Sequence, residues 1–170
     1  MASLYAALRK TIKDFEDEKT AQYRLDFSEA LLVHEIALTY TRLGQPGKAI
    51  VLLDGVVQNT DNLRTTTTEN NILLPRFNLD LAELLVEATE YEMAVPVCEN
   101  LLDMVRKTIA IAPRNTMFGL KAAYLLGVCY HKLGKPENEY MPLLTTAYHS
   151  AMSSRQNDLA DKIRREYDVL

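Results

Sequence analysis

Two stretches, HEIALTYTRLGQPGKAI at residues 34–50 and YLLGVCYHKLGKPENEY at residues 124–140, share one design: a helical pattern, a Gly stop and a Pro restart. Superposing Gly44 on Gly134 places Ala37 over Gly127, Tyr40 over Tyr130, Leu43 over Leu133, Pro46 over Pro136 and Leu53 over Leu143. The two glycines lie 90 residues apart, and half that separation lands on Thr89. The segment FNLDLAELLVEATEYEMAVPVCENLLDMV fits the same frame there, with Ala82, Leu85, Ala88, Ala94 and Cys98 in the small and apolar slots. A period of 45 residues thus predicts three units.

Each unit reads as two helices. In the first, a small residue (Ala37, Ala82, Gly127) precedes a large one (Tyr40, Leu85, Tyr130) by three positions, one turn along the same face. Small against large lets neighbouring helices approach and interlock. Gly44 and Gly134 suit the left-handed residue that ends a helix, and Pro46 and Pro136 suit the first turn of the next. The product is an antiparallel helical hairpin. Thr89 and Tyr91 replace Gly and Pro in the middle unit, so its turn is signalled less clearly.

Around the hairpins, SLYAALRKTIKDFEDEKTAQYRL predicts an N-terminal helix from the spacing of Leu4, Leu8, Ile12 and Phe15. DLADKIRREYDVL predicts a C-terminal one, with Leu159, Ile163 and Tyr167 four apart. Both are expected to cap the stack. TDNLRTTTTENN, residues 60–71, reads as a loop, because consecutive threonines are poor helix formers and Asn and Asp favour turns. IAPRN near residue 113 marks a second break, and no strand pattern is present. The expectation is an all-α single domain, 1–170: an N-terminal helix at 1–27, repeats at 28–69, 70–114 and 115–154, and a capping helix at 155–170.

Composition narrows the function classes. Apolar residues at 48% and charged residues at 25% are ordinary for a globular chain. No stretch approaches the roughly 20 apolar residues of a membrane span, and the N-terminus turns acidic too early for a signal peptide, so a cytoplasmic location is expected. A net charge of −4 argues against direct nucleic-acid binding by this chain, which needs concentrated Lys and Arg. Cys98 and Cys129 lie in apolar helical patterns and read as small buried thiols.

Catalytic motifs do not assemble. HEIAL at 34–38 has Leu where a zinc-protease motif needs its second His. Cys129 and His131 are two apart on a helix, about 200° around its axis, which is poor geometry for a shared metal. His34, His131 and His149 have no carboxylate and nucleophile at a recognisable spacing, and the six glycines form no phosphate-cradling loop. The chain is expected to be non-enzymatic, with no cofactor and no metal.

The hairpin pattern resembles the tetratricopeptide repeat (TPR): a small residue, an aromatic three later, Gly at the turn and Ala early in the second helix. Here these are Ala37, Tyr40, Gly44 and Ala49, then Ala82, Leu85 and Ala94, then Gly127, Tyr130 and Gly134. The period of 45 exceeds the usual 34 or so, and Glu139 takes the third unit's early-Ala slot. The resemblance implies a right-handed superhelical stack whose first helices line a groove. Its groove positions fall on Leu31, His34, Leu38, Thr41 and Arg42, on Arg76, Leu79, Glu83, Val86 and Glu87, and on Lys121, Tyr124, Val128, His131 and Lys132. Such a mixed lining suits a short peptide or a protein partner. The Lys and Asn clamp of chaperone-binding members is missing, its slots being held by His34 and Leu38.

The last 50 or so residues also resemble the C-terminal end of bacterial helix-turn-helix regulators that carry TPR-like repeats. The likeness rests on the KLGK turn, the pair Ala147 and Tyr148, a short polar break and a closing helix from Asp158 to Asp168. It implies a domain that dimerises, in some members binding a signalling peptide, with the DNA-binding domain elsewhere. No helix-turn-helix fits before the first repeat. A ligand in the groove would favour one curvature of the stack and so shift the dimer's population of states. The alternative is a stand-alone adaptor that joins two proteins.

Overall fold

A computed structural model of the chain describes residues 1–108, 110 and 115–169. Its α-helices are α1 (Ala2–Leu8), α2 (Phe27–Arg42), α3 (Pro46–Gln58), α4 (Thr67–Glu87), α5 (Tyr91–Thr108), α6 (Thr116–Lys132), α7 (Glu137–Ser153) and α8 (Asn157–Tyr167). Two 3-10 segments, Asp17–Gln22 and Thr60–Asn62, accompany them among the described residues. Among the described residues the only β pairing is an isolated bridge between Asp26 and Arg64, so the fold is all-α. The expected break near Pro113 lies outside the described residues.

The turns repeat in atomic detail. Gly44, Thr89 and Gly134 all adopt left-handed backbone, at φ 70°, 63° and 71°. In each turn the N–H of the following residue donates five residues back: Gln45 to Tyr40, Glu90 to Leu85 and Lys135 to Tyr130, at 2.9, 2.8 and 3.0 Å. The left-handed residue itself donates three back, to Thr41, Val86 and His131. This paired pattern is the Schellman cap, and it returns at the end of α7 on Arg155. The acceptors Tyr40, Leu85 and Tyr130 are the large residues of the repeat, so one position both packs and closes the helix.

Thr89 fills its left-handed slot at a cost, because a β-branched side chain crowds the backbone there. Thr89→Gly is expected to stabilise the chain by about 1 kcal/mol, read as a rise of roughly 2–4 °C in thermal midpoint. A fall would show that the threonine side chain contributes more than its strain costs.

The chain divides into two compact units, Met1–Leu84 and Leu85–Leu170, with the boundary inside α4. In the first, α2 and α3 form a hairpin around Ile36, Leu52 and Leu53. A capping box starts α2: Asp26 accepts from the Glu29 N–H while the Glu29 carboxylate accepts from the Asp26 N–H. Pro46 stands in the first turn of α3, as expected. Gly55 on α3 lets the Asp17–Gln22 segment dock, since a Cβ there would lie 2.6 Å from Thr20 Cβ.

Two expectations need correction here. The N-terminal helix ends at Leu8 rather than running to residue 27. Tyr23 Oη donates to the Asp14 carbonyl while accepting from the Glu16 N–H, so a side chain takes two backbone groups that a continuing helix would pair. Phe15 is nonetheless buried. The loop expected over 60–71 is shorter, because α4 begins at Thr67. Thr66 and Glu69 form a second capping box: Glu69 Oε2 accepts from the Thr66 N–H at 2.7 Å, and Thr66 Oγ1 accepts from the Glu69 N–H at 3.2 Å.

In the second unit, α5, α6 and α7 pack in sequence and α8 closes against α7. Leu101, Leu144, Ala147, Ala151, Ala160 and Ile163 are fully buried. Gly127 sets the approach of α6 to α7: a Cβ built on it would lie 2.7 Å from Leu144 Cδ2. Leu159 and Tyr167 are half-buried beside Ile163, which bears out the face expected of the C-terminal helix.

Candidate functional site

The 45-residue frame sorts the expected groove positions by burial. At 34, 79 and 124 it holds His34, Leu79 and Tyr124, exposed by only 1%, 5% and 9%. These are packing positions, and expecting His34 and Tyr124 on a free surface is corrected. His34 points from α2 to α4, where its Nε2 lies 2.5 Å from Asp80 Oδ2 and its ring 4.9 Å from that of Phe77. A polar ring at a buried position needs such a partner. Tyr124 lies beneath Lys162 of α8, whose Nζ is 5.4 Å from the ring centroid. The hydrogen bond to Tyr124 raises the Lys162 ammonium above its ordinary value.

The other positions are nearer to solvent. Leu31 and Arg76 are exposed and Lys121 is half-buried, while Arg42, Glu87 and Lys132 are all exposed as the last residues of α2, α4 and α6. Arg42 and Lys132 complement the negative end of a helix dipole. Glu87 opposes that dipole, which leaves its charge to be explained by what it faces; Lys162 is one cation within its field. Leu38 and Glu83 are half-buried and Val128 is buried, so this position grades from rim to core along the chain.

His131 is exposed, with the edges of Tyr140 from α7 and Tyr167 from α8 at 5.0 and 5.3 Å from its ring. Burial, first among its causes, pushes the Tyr167 phenol up to about 12. Tyr130 Oη donates to Glu99 Oε1 at 2.8 Å, joining α6 to α5, and that bond is the main reason its phenol is pushed up to about 12. With Lys132 and Lys135 also exposed, this end of the second unit presents cations beside aromatic rings.

The small slots are filled as the pattern requires. Ala37, Ala49, Ala82 and Ala94 are fully buried, and Glu139 in the remaining slot is exposed. Cys98 and Cys129 are free and buried. The hydrogen bond to Cys129, with burial behind it, holds the Cys98 thiol far above its ordinary value. Among the described residues no group of three or more His, Cys, Asp or Glu side chains could hold a metal ion, and no helix is long and apolar enough to cross a membrane. No family model matches the chain, and no curated protein matches it.

Proposed function

We propose that the chain is a non-enzymatic, TPR-like domain that binds a peptide or protein and dimerises, as the ligand-sensing part of a bacterial transcriptional regulator. In this reading the hairpins form a right-handed superhelical stack, and the DNA-binding domain lies outside the sequence given. One observation supports the reading above the others: the left-handed cap recurs at one backbone conformation while the exposed residue just before it changes its charge. Gly44, Thr89 and Gly134 share one backbone conformation, whereas the residue two before each is cationic in the first and third units, Arg42 and Lys132, and anionic in the second, Glu87. A fixed frame carrying varied surface groups is how helical repeats build specific recognition surfaces.

Panning a displayed-peptide library against the chain tests this. Peptides are expected to enrich, and the double variant Arg42→Glu, Arg76→Glu is expected to bind them at least tenfold more weakly, a loss of about 1.4 kcal/mol. Light scattering with and without an enriched peptide then tests sensing. A dimer whose mass or shape responds is the expected result. A monomer indifferent to the peptide would favour the adaptor reading, and no enrichment at all would overturn peptide recognition.

A further inference from the structure

We propose that the cleft between α1 and the Asp17–Gln22 segment binds an alkylammonium group. The cleft measures about 490 Å³, within the range of small-ligand sites, and is lined by Tyr5, Arg9, Phe15, Asp17, Glu18 and Tyr40 among others. At its centre Tyr5 Oη lies 2.6 Å from both carboxylate oxygens of Asp17 and 2.9 Å from Tyr40 Oη, which is itself 3.2 Å from Asp17 Oδ2. Two phenols supply two hydrogens, whereas a carboxylate offers about four lone-pair positions. Acceptor capacity therefore remains on Asp17 for a donor entering the cleft.

No Lys, Arg or His among the described residues forms an ion pair with Asp17. The nearby cations sit on ring faces instead: the Arg9 guanidinium lies 5.3 Å from the Tyr5 centroid and Lys48 Nζ 5.1 Å from that of Tyr40. Both rings thus attract cations from within the chain, and the carboxylate between them has none. Burial, then the bond to Asp17, keeps the Tyr5 phenol protonated and donating. An alkylammonium has three donors for the open lone pairs and a chain that aromatic walls can cover.

The site goes beyond the function proposed above and uses none of the exposed positions assigned to it. The probes are cadaverine, for a free amine, and Nα-acetyl-lysine methylamide, for a lysine side chain, with the Nε-acetylated lysine derivative as the neutral control. Their binding is followed by saturable shifts of the Tyr5 and Tyr40 ring resonances. Both amines are expected to bind and the control to fail, the tighter amine naming the source. Asp17→Asn, which keeps the side-chain size, is expected to weaken binding at least tenfold, and Arg9→Ala to strengthen it severalfold by removing a competing cation. Charge reversal at Arg42 and Arg76 is expected to leave it unchanged. No ring shifts with either amine, or equal shifts with the neutral control, would overturn the proposal on the wild-type protein alone. Unchanged binding by folded Asp17→Asn would overturn it as well.

Discussion

Gly127→Ala is expected to lower the free energy of unfolding by about 1–3 kcal/mol, the range for overpacking a filled core. Glycine is ordinarily a liability inside a helix, worth roughly 1 kcal/mol less than alanine, so propensity alone predicts the opposite sign. Packing overrides it here. The new methyl would lie 2.7 Å from Leu144 Cδ2 and 2.8 Å from its Cγ, and Leu144 is fully buried. Chemical denaturation of the two proteins decides the sign. Leu144→Ala alone is expected to cost about 2–5 kcal/mol, and the double variant less than the sum of the two single changes, because each relieves the other. A Gly127→Ala protein as stable as the wild type would mean that α6 and α7 move apart freely.

Asp80→Ala is expected to cost a further order of about 1–3 kcal/mol, the penalty for leaving a buried polar group unpaired. His34 is almost fully buried, and Asp80 Oδ2 is the partner of its Nε2. Asp80→Asn keeps an acceptor oxygen in place and is expected to lose much less. Amide hydrogen exchange localises the effect: protection should fall along α2 and along α4 up to Leu84, the two helices that the pair joins. Equal stability of the Ala and Asn variants would show that His34 finds another partner.

The parts of this fold legible in the sequence are those set by local backbone chemistry. Gly44 and Gly134 announced left-handed caps, and Ala37, Ala82 and Gly127 announced close helix approaches, because in each case one residue type meets one steric requirement. Thr89 was harder to read, since only the period, not its chemistry, placed it in a left-handed turn. The capping box Thr66 to Glu69 was hidden by its own neighbours: a run of threonines reads as a loop until the Glu three residues after Thr66 is weighed. Positions on the helix faces were the least legible. Helical spacing places His34, Leu38 and Arg42 on one side, but only the pairing with Asp80, 46 residues away, shows that the first of these faces inward. The cleft at Asp17 left no motif either, because it gathers Tyr5, Asp17 and Tyr40 from three separate segments.

The burial of both native thiols gives the chain a practical property. Cys98 occupies the slot that Leu53 and Leu143 hold in the other hairpins, so its sulfur serves as volume, and its raised pKa keeps it from forming the reactive thiolate. Cys129 is shifted the other way by its bond to Cys98, and its complete burial is what shields it, so a maleimide dye should leave the folded protein largely untouched. A single cysteine placed at one of the solvent-facing helix ends, Arg42 or Lys132, would then take the label alone, and the emission of that dye could report ligand arrival in real time without any native residue being removed.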